Sequence, residues 1–230
     1  MQPLKSSVRQ SIDVGLRQYM LSIYQYMGLG LALTGVVALG LALMPAHMQR
    51  AIMGLSFVSM IGTFGIAIYF SMAFQRMSSS TAQGLFWLYA ALMGMMLTTI
   101  FQIYHAESIA KVFFITAGTF GAASVYGHST QRDLTSMGAF VRMGLFGLII
   151  ASLVNFFIQS SAFDFALSVI GVFVFVGLTA YDTQRLKQIY NTLPHDEEIR
   201  GKIAIFGALT LYLDVVNLFL SLLRLFGDRK

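Results

Sequence analysis

Two acids in this chain stand where acids are costly. Asp214 lies near the middle of Ile203–Leu223, a run otherwise free of charge and bracketed by Lys202 and Arg224. A helix crossing a bilayer needs about 20 apolar residues, so this run is long enough to span and Asp214 falls near mid-membrane. A carboxylate there costs about 2.5–3.5 kcal/mol on insertion scales, which makes it a functional candidate by default. Gly207, Thr210, Asp214, Asn217, Ser221 and Arg224 recur at spacings of three or four and form one polar stripe on the helix. Because unsatisfied polar groups cannot face lipid, the stripe must face protein or water. It either lines a pathway or hydrogen-bonds between helices.

Asp182 is the second acid, in the segment GLTAYDTQRLKQIY from Gly177 to Tyr190. A helix continuing past it would carry Arg185 and Lys187 to the interface, and Asp182 could then form an ordinary i,i+3 pair with Arg185. If that helix ends near Tyr190 and the next starts near Arg200, the acids lie ~12 and ~21 Å from their helix ends. The connecting segment Asn191–Ile199 reaches easily over the ~9 Å offset, so contact is permitted. Two carboxylates touching in a low-dielectric bundle resist simultaneous ionisation and titrate as a unit. Such a pair can share a proton, repel on deprotonation or accept a hard cation. Oxygen ligands suit Ca²⁺, which normally recruits more than two carboxylates, so a pH-gated cation route is the expected mechanism.

The elements that must hold these acids can be read from charge used as punctuation. Hydrophobic residues are 57% of the 230 and charged residues 11%, far below the roughly 25% of a soluble domain. Charge-free stretches at Gln18–Gln49, Ala51–Gln75, Met77–Ala106, Val112–Gln131, Met143–Phe163, Phe165–Tyr181 and Ile203–Leu223 predict seven transmembrane helices in an all-α, polytopic membrane protein. The domain organisation expected is an amphipathic cytoplasmic N-tail over 1–18, a transmembrane domain over 19–227 and a short tail over 228–230. Val8, Ile12, Leu16 and Tyr19 recur at helical spacing in the N-tail, which suits a helix lying on the membrane surface, with a disordered tail as the alternative. The long first run is an anchor, not a cleavable signal.

Lys5, Arg9, Arg17, Arg76, Arg132, Arg142, Arg185, Lys187, Arg200 and Lys202 are assigned to the N-tail and even loops, ten of the fifteen basic residues. The asymmetry predicts a cytoplasmic N-terminus. Seven spans then put the C-terminus outside, with a re-entrant seventh helix as the alternative. The net charge of +5 forms no patch with interleaved aromatics, which speaks against nucleic-acid binding. Zero cysteines exclude disulfides and thiolate metal sites. Small residues four apart (Gly30 and Thr34, Ala90 and Gly94, Ala117 and Gly121, Gly118 and Ala122) mark faces for close helix packing or for dimerisation.

At the two acids a resemblance becomes specific. Tyr181-Asp182-Thr183-Gln184 and ALTLYLDVVNLFLSLLRLFG over Ala208–Gly227 resemble the two closing helices of the Bax inhibitor-1 family, also called the transmembrane Bax inhibitor motif or YccA-like family. Tyr126–Gly138, YGHSTQRDLTSMG, resembles its link between the fourth and fifth helices. The resemblance covers essentially the whole chain and is nearest the bacterial YbhL-like branch. It implies a seven-helix bundle of the inner membrane with the last helix central, and a pH-sensitive Ca²⁺ leak governed by a di-aspartyl sensor. The sensor maps to Asp182 and Asp214, supported by Thr210, Asn217 and Ser221, with Ca²⁺ only transiently at the acids and Arg76 as the candidate latch. Lipid, protons and Ca²⁺ or another cation are the expected partners, beside an unidentified membrane protein. No cofactor and no enzymatic activity are expected. The rivals are a non-transporting scaffold and an intramembrane aspartyl protease. That protease would require Gly-x-Gly-Asp where this chain has Leu211-Tyr212-Leu213-Asp214, and a Pro-Ala-Leu motif that is absent.

Overall fold

A computed structural model describes residues 3–73, 76–192 and 196–230, without the side chains of 3–13, 46, 50–57 and 71. The elements run α1 (Pro3–Ala42), α2 (Ala46–Ala73), α3 (Ser79–Leu97), the single turn α4 (Ile100–Ile103), α5 (Ala106–Ser129), α6 (Thr135–Ile158), α7 (Ser161–Tyr190) and α8 (Glu197–Phe226). Helix is the solution lipid imposes, because it satisfies every backbone N–H and C=O within one segment. No strand occurs among the described residues, only an isolated bridge between Tyr104 and Arg229.

Six stretches are long and apolar enough to cross a bilayer: Val14–Ala42, Ser79–Ile103, Ala106–Ser129, Thr135–Ile158, Ser161–Tyr190 and Glu197–Phe226. The second run expected from the sequence appears as α2, whose described apolar part, Val58–Phe70, is shorter than a span. Among the described residues, six helices rather than the expected seven are therefore long and apolar enough to span. The side chains of Val8 and Ile12, on which the amphipathic N-tail rests, lie outside them.

The chain divides into two compact units, residues 1–99 with 186–209, and residues 100–185 with 210–230. In the first, Thr34 on α1 donates to the carbonyls of Gly30 and Ala90, each at 2.9 Å. Tyr26 packs edge-on to Phe86 at 6.3 Å between centroids, and Gln83 donates to the Tyr26 hydroxyl at 3.3 Å. Tyr19 lies against Tyr190 at 5.3 Å, where α7 ends. The small-residue faces are thus used unequally. A side chain at Gly94 would come within 2.7 Å of the Thr34 carbonyl, whereas Gly118 and Gly121 meet nothing within 4 Å.

In the second unit α6 and α7 run antiparallel on a ladder of glycines. Gly138 faces the Tyr181 ring, Gly177 faces Val141 and Gly144 faces Val174. The outer face of α6 is apolar, with Phe140, Met143, Phe146 and Phe157 more than two-thirds exposed. Such a surface suits acyl chains and would be unstable in water. Only 6% of the most apolar part of α6 is buried, against 61% for α8, the most enclosed of the six spans.

Gly94→Leu is expected to overpack the α1–α3 contact and cost about 1–3 kcal/mol. Gly118→Leu, which meets open space, should leave stability unchanged. Thermal melting of the two purified variants in detergent checks this; equal midpoints would remove Gly94 from the packing contact.

Candidate functional site

The two acids lie on α7 and α8 in the second unit, where these helices pack closely. A side chain at Gly171 of α7 would lie 2.7 Å from the Ser221 hydroxyl of α8. Counting from that contact along antiparallel helices brings Asp182 level with Thr210, one turn or ~6 Å from the level of Asp214. This offset is smaller than the ~9 Å expected from the sequence. The two carboxyl groups are within Coulombic range of each other.

Both acids are enclosed by protein. Asp182 is 9% exposed and Asp214 5% exposed, and Asp214 Oδ2 has no hydrogen-bond partner among the described residues. Around Asp182 the helix is buried on every side, from Thr179 through Gln184. Gly127 makes this possible on α5, since any side chain there would strike the Ala180 carbonyl, and Gly138 does so on α6. Ser124 and Thr183 share a hydrogen bond of 3.2 Å between α5 and α7.

The cations in range of Asp182 are Arg185 and Arg142. Arg142 Nη1 donates to the Tyr181 hydroxyl at 2.7 Å, and its guanidinium carbon lies 4.8 Å from the Tyr181 ring centroid. Charge used as punctuation put Arg142 in a loop; it is seven residues inside α6. Its side chain leans toward the helix N-terminus, as helical side chains do, and so reaches the end of the bundle where Asp182 lies. Arg76, the candidate latch, is exposed in the turn between α2 and α3 and belongs to the other unit.

Gln184 was not singled out from the sequence, yet it ties α7 to the α5–α6 link. It accepts from the Leu134 N–H at 2.9 Å and donates to the Arg132 carbonyl at 2.8 Å. Next to it the Thr135 hydroxyl and N–H hold the exposed Asp133 carboxyl below the ordinary carboxylate range. The polar stripe of α8 divides. Asn217 donates to the Leu213 carbonyl and Ser221 to the Asn217 carbonyl, both at 2.8 Å. These two satisfy themselves on their own helix, while Thr210 is half-buried at the level of Asp182.

No group of three or more His, Cys, Asp or Glu side chains placed to hold a metal occurs among the described residues. His195 lies outside them. What the geometry provides is a pair of enclosed acids, one unpaired carboxylate oxygen and two nearby guanidinium groups: a place for a proton or a passing cation.

A polytopic α-helical membrane protein with two acids enclosed in one bundle is the class these features define. The chain matches the family model described as inhibitor of apoptosis-promoting Bax1 over residues 16–230, and it belongs to the Bax inhibitor-1 family. It is 50% identical over 226 residues to a protein of Rickettsia prowazekii, covering 98% of this chain and 95% of that one. It is 46% identical to the inner membrane protein YbhL of Escherichia coli K12 over 94% of each chain, and 34% identical to a membrane protein of Streptococcus pyogenes, again over 94% of each.

Gln184→Leu should leave the Leu134 N–H and the Arg132 carbonyl without partners, at about 1–3 kcal/mol. Hydrogen exchange at the Leu134 amide is expected to speed up by roughly tenfold or more. Unchanged exchange there would mean that the link is held by other contacts.

Proposed function

We propose that the chain is a pH-dependent cation leak of the bacterial inner membrane, with Asp182 and Asp214 as its sensor and Ca²⁺ as its ion. The observation that carries this reading is the buried Oδ2 of Asp214, which has no hydrogen-bond partner among the described residues, within Coulombic range of a second enclosed acid. A polar atom left unpaired in a protein interior costs free energy until a proton, water or cation satisfies it. With one shared proton the pair is held together and the route is closed. Loss of that proton sets two anions against each other in low dielectric, which separates α7 from α8 and turns carboxylate oxygens toward a cation.

Ca²⁺ takes six to eight oxygens, and two acids supply fewer. The ion therefore passes with most of its water and does not reside. Arg142 and Arg185 offset the charge of Asp182, and Arg76 is the proposed latch. The basic asymmetry supports a cytoplasmic N-terminus, and the inner-membrane relative YbhL supports the compartment. The activity needs no bond to be made or broken, so no enzyme is proposed. A non-transporting scaffold is the second reading, favoured by the self-satisfied Asn217 and Ser221.

Flux into proteoliposomes carrying a Ca²⁺ reporter, measured from mildly acidic to mildly alkaline pH, tests the reading. Flux should rise with pH, because deprotonation opens the route. Arg76→Ala should raise the leak or shift its pH dependence more than Arg132→Ala. Flux no greater than in empty vesicles at every pH would leave the scaffold reading, and release of cleaved peptide would point to the protease.

A further inference from the structure

At the opposite end of the second unit from the Arg132–Leu134 link, the ends of α6, α7 and α8 border a polar groove of about 490 Å³. Asn155, Ser160, Ser161, Asp164, Arg224 and Arg229 line it. Its depth follows from helix geometry: Arg224 is ten residues beyond Asp214 on α8, or ~15 Å along the axis. That is half the ~30 Å hydrocarbon thickness, so with Asp214 near the bilayer centre the groove lies at headgroup level. Phe156, which also lines it, is 74% exposed, and its neighbour Phe157 is 82% exposed. The groove thus opens beside a surface made for acyl chains.

The second arginine is delivered by the C-terminal tail. Asp228 N–H donates to the Ser108 hydroxyl at 2.9 Å, His105 N–H to the Asp228 carbonyl at 3.1 Å and Lys230 N–H to the Ile103 carbonyl at 2.9 Å. These bonds fix the backbone on both sides of Arg229. Its pair with Asp164, 3.9 Å apart and largely exposed, is weak, and Arg224 forms no ion pair among the described residues. The lining carries two guanidinium groups against one carboxylate, with the Ser160 and Ser161 hydroxyls beside them.

We propose that this groove binds the phosphodiester headgroup of a phospholipid in the leaflet at the α8 C-terminus, with Arg224 and Arg229 on the phosphate. Guanidinium forks match phosphate oxygens in pairs and make charge-assisted bonds. Asp164 then faces the rest of the headgroup, so an ethanolamine ammonium is held better than a choline, which offers no N–H donor.

Native mass spectrometry of the delipidated full-length protein, titrated with phosphatidylethanolamine, phosphatidylcholine or inorganic phosphate, tests this. Phosphatidylethanolamine should be retained, and the Arg224→Gln, Arg229→Gln double variant should weaken retention about tenfold. Lys111→Gln, which removes a cation elsewhere on α5, should not. Equal retention by the double variant would overturn the site, and displacement of the lipid by inorganic phosphate would overturn the lipid assignment. Should the double variant fail to fold, a headgroup-photoreactive phospholipid can be used with the unaltered protein. Its crosslinks should fall within 152–167 and 224–230, and crosslinks spread along the chain would contradict the proposal.

Discussion

A carboxylate cannot face the hydrocarbon of a bilayer, and the second unit is organised around that prohibition. Asp182 and Asp214 must be walled off by protein, which requires helices to close on α7 from several sides at once. Gly127 and Gly138 allow the approach on α5 and α6, where a single added carbon would strike Ala180 or Tyr181. Gly171 allows α7 and α8 to meet at Ser221. Small residues bring backbones close in a membrane. Here their effect is to shield a charge.

Once the acids are enclosed, the remaining polar groups divide by what they satisfy. Gln184 satisfies backbone in the α5–α6 link, and Asn217 and Ser221 satisfy their own helix. Arg142 is bonded to the Tyr181 hydroxyl. The Oδ2 atom of Asp214 stays without a partner among the described residues. Among the described residues of the second unit it is the one buried side-chain oxygen or nitrogen without a hydrogen bond, and a network satisfied elsewhere is stable as a scaffold and responsive at that atom. The proposed leak rests on this contrast.

The burial of Asp214 was legible in the sequence because an acid in a charge-free apolar run must be walled off by protein, and the family was legible in the Tyr-Asp and Leu-Tyr-Leu-Asp motifs. The helices at Met77–Ala106 and beyond were legible as apolar runs. Arg142 was not, since treating charges as helix boundaries places it in a loop, whereas a long side chain near a helix end can sit inside the helix and reach outward. The α8 stripe shows the limit of periodicity: Asn217 and Ser221 keep the spacing of Asp214, yet bond to carbonyls four residues back. Spacing gives a face and does not reveal the hydrogen-bond partner. The closeness of the acids was bounded by loop length, but their levels on α7 and α8 follow from the Gly171–Ser221 contact.

The central claim is that Asp182 and Asp214 act as one titrating unit. Ca²⁺ flux against pH for Asp182→Asn, Asp214→Asn and the double variant in proteoliposomes tests it most directly. Asparagine keeps the shape and removes the ionisation. Each single substitution should flatten the pH response of a folded protein, and the double should add little, because residues that act together are not additive. If both single variants fold and keep the parental pH–flux curve, the di-aspartyl account is wrong.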